Sequence, residues 1–309
     1  MTQHLPNDLG QDPAHFVPHR FGTLTAPAAP PPRPHAGAGR FLVVVMLLVG
    51  LVVAGLQTLP IVGTAPPNPA PSPHRSPSVS ASASTPAGTS SEPGDRLTDS
   101  RLYPLGVTGS CPEIRTVTSR DAYTKQVSAL LGCLETIFEP LIEQADGTFS
   151  RVQHRFYGRS TSSPCGASKN AYAFYCEQNT TIYLSDQVYD NARYARLVVA
   201  DVVIHEYGHH VQSMMGMFAA AEDVDEGRAT IVRREELQVF CWTYYVFAAL
   251  PSFELTIDDH NYFREVWDHT DDPEGHGSVK AQQYWGARGL AGTSLGACNT
   301  WSVPADRVR

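Results

Sequence analysis

The stretch LVVADVVIHEYGHHVQSMMGMF places His205, Glu206 and His209 within five residues. Side chains four apart lie on one helix face, so His205 and His209 can offer ring nitrogens to a single ion. Two imidazoles and one further carboxylate suit zinc, which keeps its fourth position for water. Zinc brings the pKa of that water towards neutrality and polarises a substrate carbonyl. Glu206, one step round the helix, is placed to take the water's proton and pass it to a leaving amine. This is the H-E-x-x-H pattern, and the preceding apolar RLVVADVV puts it on a buried helix. His210 points about a quarter-turn away from His209. It is expected at the surface, or as a partner of Glu206 four residues before it.

A third protein ligand has to come from elsewhere. In RATIVRREELQVFCWTYYVFAAL, residues Val232, Glu236, Phe240 and Tyr244 fall on one line, and Glu236 carries its only charge. A buried carboxylate must be paired or bind a metal. Glu236 is therefore the candidate ligand, and a buried ion pair with an arginine is the competing role. Arg234 and Glu235 fall on other faces, where solvation accounts for them. Asp223, Asp225 and Glu226 read as solvated or capping residues of the preceding loop. His276, in DDPEGHGSVK, is the candidate donor to a developing oxyanion, where such stabilisation is valuable. A loop or capping histidine is the alternative.

The elements that must hold these groups are mainly helical. Apolar spacing predicts helices over Asp121–Gln144, with a break or bend at Pro140, and over Ala192–Met217. Further helices are predicted over Glu226–Ala249, ended by Pro251, and Ser278–Arg288, closed by Gly289. The aromatic and β-branched runs Ala171–Cys176 and Thr181–Leu184 read as a hairpin. Trp242, Tyr244, Tyr245 and Phe247 read as helix core rather than a specificity pocket. The fold class is α+β, mainly α, with one small sheet.

Of the 309 residues, the first hundred cannot build a core. Residues 1–40 are rich in Pro, Ala and Gly and read as a disordered tail. Residues 41–62 carry no charge and are long enough for a transmembrane helix. Arg33 and Arg40 precede that run and no Lys or Arg follows until Arg75. The N-terminus is therefore expected in the cytoplasm and the rest outside. A cleaved signal peptide would have an unusually long leader and apolar core here. Residues 63–100 are a Pro/Ser/Ala-rich linker, and 101–309 form the folded domain. The formal charge of -8 gives no basic footprint for nucleic acid. All six cysteines lie in the folded part with no CxxC pair, which fits disulfides in an exported domain. Proximity singles out Cys165–Cys176; the other pairings stay open, and reduced, buried thiols are the alternative. Oligomeric state leaves no mark.

From Tyr103 to Trp301 the chain resembles the putative neutral zinc metallopeptidase family, a gluzincin-type group. The resemblance rests on AFYCEQNTTIYL, VVIHEYGHHVQ, RREELQVFC, HGSVKAQQYWGARGL and ACNTW, in that order. It implies a zincin-like metallopeptidase domain, with His205, His209 and Glu236 holding Zn2+ and Glu206 catalytic. It also implies that an edge strand holds an extended peptide substrate, for which Thr181–Leu184 is the candidate. Two positions depart from the family pattern. Phe240 stands where an acid is common, a group that would orient a ligating histidine, so affinity falls unless another acceptor substitutes. Gln282 stands where an arginine is frequent. The expected protein is a membrane-anchored, outward-facing zinc peptidase. The alternatives are an inactive zinc-binding scaffold for cell-envelope proteins or peptides, and a disulfide-stapled domain without metal.

Overall fold

The computed structural model describes residues 93–269 and 272–309. The tail, the apolar run over 41–62 and the linker up to residue 92 lie outside the described residues. Among the described residues no helix is long and apolar enough to cross a membrane. A short helix, α1 (Pro93–Thr98), falls inside the stretch read as linker, and its Leu97 joins the core.

Helix α2 (Arg120–Gln144) starts on Ser119, whose side chain accepts from the Ala122 N–H. It runs through Pro140 without the break that was one of the two expectations there. Proline frees the carbonyl one turn back, that of Thr136, and both residues are exposed, so solvent can satisfy it. α3 (Asp186–Ala192) ends where the helix predicted over Ala192–Met217 was to begin; that helix is α4 (Val198–Met214), and α5 (Met217–Ala221) begins at its predicted end. Gly216, in the left-handed region at φ 66°, makes the corner between the last two. Helices α6 (Arg228–Ala249), α7 (Ile257–His269) and α8 (Val279–Leu290) follow. Helix α7 had no sequence expectation.

Helix α6 is buried all round, including Arg233, Arg234, Glu235 and Glu236. The solvated faces expected for Arg234 and Glu235 do not exist, because α4, α8 and the C-terminal segment cover the helix. Arg234 instead pairs with Glu226 at 2.7 Å and donates to the Val303 carbonyl. Glycines set two of these approaches. A Cβ on Gly208 of α4 would lie 2.9 Å from Val239 Cβ of α6, and one on Gly289 would run into the Cys241 carbonyl. Gly289 therefore sits inside α8 as a packing residue and does not close the helix where Arg288 was predicted to end it. Trp242, Tyr244, Tyr245 and Phe247 are all buried core.

The sheet has a strand that the sequence reading missed. β1 (Gln153–Tyr157) pairs in parallel with β5 (Thr181–Ser185), which pairs antiparallel with β4 (Ala173–Cys176), in the order β1-β5-β4. The predicted hairpin exists, but Thr181–Leu184 is central, with both edges taken. It therefore cannot be the edge strand that was expected to hold a peptide. β1 was hidden because QHRFY is largely exposed and polar. A separate two-stranded ribbon, β2 (Ser160–Ser163) with β3 (Gly166–Lys169), lies between β1 and β4 in the chain. Disulfides join Cys111–Cys133, Cys165–Cys176 and Cys241–Cys298. The second is the pair chosen by proximity; the third ties α6 to the segment after α8.

Candidate metal centre

The close crossing at Gly208 brings one face of α4 onto one face of α6. His205 Nε2 then lies 3.1 Å from Glu236 Oε2, and His209 Nε2 lies 3.4 Å from the same oxygen. One donor atom from each of the three residues falls within 4.8 Å of the others. Ligands about 2.0–2.2 Å from zinc at tetrahedral angles are about 3.3 Å apart, so this donor set has the size and chemistry of a zinc site. No ordinary ion pair explains Glu236: no arginine reaches it among the described residues, and its neighbours are imidazoles.

The electrostatics follow from burial and proximity. Burial alone would raise Glu236, but His209, His276 and the hydrogen bond from His205 outweigh it and hold the carboxyl well below its usual range. Burial lowers His205 to about 4 against the pull of Glu236. Burial also opposes charge on His209, yet Glu236 and Glu206 carry it up to about 9. Glu206 is 2% exposed and is pushed up to about 8 by burial. The nearby Tyr175 backbone N–H weighs slightly against that rise. An acid that holds its proton near neutrality is suited to both accept and return one.

His276 reaches the same cluster from the loop before α8. Its Nε2 lies 3.4 Å from Glu236 Oε2, and Asp272 Oδ2 accepts from Nδ1 at 2.8 Å. Glu236 and Asp272 together raise its pKa against the effect of burial. Asp272 had no role in the sequence reading, although it stands one helical spacing before His276. Gln282, at the second departure from the family pattern, donates from Nε2 to the Gly277 carbonyl beside this histidine.

His210 is not at the surface and does not meet Glu206. It is 1% exposed, bonded to the Tyr175 hydroxyl at 3.0 Å and to the Ser150 carbonyl at 2.8 Å. It thus ties α4 to β4 and to the segment before β1. Phe240 packs edge-on against Tyr244 and cannot accept a proton. The acceptor for His209 Nδ1 is Gln212 Oε1 at 3.0 Å, one turn along α4 itself. The metal cleft is lined by Tyr175, Glu177, Glu206, His209, Glu235 and Glu236, with Phe218 and Arg228 beside them. Glu235, read as solvated, is buried and raised to about 8 by that burial.

Residues 108–250 match the family described as "Putative neutral zinc metallopeptidase". It is the family that the motif blocks resemble. The matched stretch contains His205, Glu206, His209 and Glu236; His276 lies beyond it. An uncharacterized protein of Mycobacterium tuberculosis is 28% identical over 131 residues, 39% of this chain and 43% of that protein. The uncharacterized protein YpfJ of Escherichia coli is 24% identical over 209 residues, 59% of this chain and 73% of that protein. The chain spans less than half the length of the mycobacterial relative. No solved structure matches it.

Proposed function

We propose that this chain is a zinc-dependent peptidase in which His205, His209 and Glu236 hold the ion and Glu206 moves protons. The observation that carries this reading is the convergence of three donor atoms from two helices, with Glu206 lining the same cleft. When bound, zinc would supply a polarised water and a Lewis acid for the substrate carbonyl.

The protein's own groups do the rest. Glu206, lining the cleft, takes the proton of the attacking water and delivers it to the departing amine. His276, kept in position by Asp272, donates from Nε2 to the oxygen on which negative charge develops. The outer edge of β4 carries the Tyr175 N–H towards the cleft, so β4 is the strand that can pair with an extended peptide.

In the same reading, residues 41–62 anchor the chain in the cell membrane with the catalytic domain outside. The uncharged run preceded by Arg33 and Arg40 supports this. So does the pairing of all six cysteines, which suits an oxidising compartment.

The test uses the purified full chain, with zinc counted by elemental analysis and cleavage followed in a proteomic screen with and without a chelator. Glu206→Gln should bind about one zinc per chain and cleave nothing. Cleavage unaffected by that substitution rejects Glu206 as the base. The inactive-scaffold alternative draws on Phe240 and Gln282; against it, His209 Nδ1 has an acceptor in Gln212.

A further inference from the structure

Two glutamines, Gln212 on α4 and Gln238 on α6, are fully buried behind His209. Their hydrogen bonds run in one direction. Gln212 Nε2 donates to Gln238 Oε1 at 2.9 Å and to the Glu235 carbonyl at 3.0 Å. Gln238 Nε2 donates to the Tyr103 hydroxyl at 2.9 Å, and that hydroxyl donates to the Leu97 carbonyl at 2.6 Å.

The far end of this row fixes the near end. A backbone carbonyl can only accept, so the single Tyr103 proton goes to Leu97, and Tyr103 must receive from Gln238. The Gln238 amide nitrogen therefore faces Tyr103, which leaves its oxygen for Gln212. The Gln212 nitrogen is then used twice, on Gln238 and on the Glu235 carbonyl, so its oxygen faces His209. Only an Nδ1–H can fill that contact. The lone pair of a neutral His209 is left on Nε2, on the side of Glu236. Reversing either amide would set acceptor against acceptor with no solvent to relieve it.

We propose that Gln212, Gln238 and Tyr103 are a positioning relay, anchored on the Leu97 carbonyl, that locks His209 in the Nδ1–H form and so presents Nε2 to a divalent transition metal. The proposal rests on reading the site as a metal centre. It does for a ligating histidine what an orienting carboxylate can do, and does it with neutral amides. It also assigns a task to the segment 97–103, which precedes the residues matched by the family. α1 and the turn after it are then part of the metal site's support, although neither touches the ligands.

The full chain tests this through zinc affinity, measured by competition with a chelator, and through the His209 tautomer, read from imidazole 15N shifts. Gln212→Leu should weaken zinc binding by roughly 10–100-fold, the usual range for a lost outer partner. Tyr103→Phe, which removes one oxygen atom, should weaken it by about tenfold and populate the Nε2–H form in the metal-free protein. Tyr245→Phe is the comparison. It removes a buried hydroxyl that accepts from the Val107 N–H, outside the relay, and should leave zinc affinity and tautomer alone. Wild-type zinc affinity in a folded Tyr103→Phe chain overturns the relay. If the wild-type chain binds no zinc, the metal reading fails. The relay is then judged separately: Nδ1–H in the neutral His209 upholds it, and Nε2–H overturns it.

Discussion

Gly208 of α4 faces Val239 of α6 so closely that a single added methyl would sit 2.9 Å from the valine Cβ. The x-residue before the second histidine of the motif is therefore a spacing device: it lets Glu236 come within reach of both imidazoles. Gly208→Ala gains helix propensity but must push the helices apart. Overpacking of this kind costs about 1–3 kcal/mol. We expect a lower melting temperature together with weaker zinc binding, read by calorimetry and chelator competition. A variant with normal metal affinity would separate the crossing from the site.

Glu236→Ala removes the only carboxylate within reach of both histidines in the candidate donor set. Zinc content after dialysis should fall from about one per chain to near zero. The change should exceed that of any relay variant, because a direct ligand is lost rather than its support.

His276→Ala should lower kcat by about 10²–10³ while zinc content is unchanged, as expected for a lost oxyanion donor. Asp272→Asn should give a smaller loss, since the ring stays but its anchor weakens. Equal loss of zinc in either variant would instead make His276 a ligand.

Asp201, buried on α4, accepts from the Tyr262 hydroxyl at 3.5 Å. Burial pushes its carboxyl from 3.8 to about 7. Between those values the unfolded chain has given up the proton and the folded chain still holds it. Stability contributed by this group thus falls as pH rises through that window, by at most roughly 1.4 kcal/mol per unit. Denaturation curves at pH 5 and pH 7.5 should show this slope in the wild type. Asp201→Asn should flatten it and be the more stable protein at the higher pH.

Opening Cys241–Cys298, which closes a separation of 57 residues, should cost about 4 kcal/mol by chain entropy. Cys165–Cys176 spans 11 and should cost about 3 kcal/mol. Paired Cys→Ser variants followed in denaturant check the order.

The first-named site residues could be read because helix periodicity is local: His205 and His209 share a face by spacing, and Glu236 stood out as a charge in an apolar row. Arg234, Glu235 and His210 misled for the opposite reason. Their burial depends on what covers α6 and α4 from distant parts of the chain, and periodicity carries no record of that. β1 was invisible because its partner lies 28 residues away and its own sequence is polar. Asp272 and Gln212 were there to be noticed by spacing from His276 and His209. The cue was weak, since polar residues four or three apart are common on any surface. The ends of α4 and α8 were misplaced because Gly216 turns the chain while Gly289 packs it, and the letter is the same.

Residues 300–309 reach the candidate metal centre from behind. Ser278 caps α8, two residues after His276, and its hydroxyl also donates to the Arg309 carbonyl; the Trp285 indole donates to that of Arg307. Arg234, two positions from Glu236, is clasped by the carbonyls of Thr300 and Val303. A protease that clips residues 304–309 would thus loosen the back of the candidate metal centre. Preparations that differ only there should differ in zinc affinity.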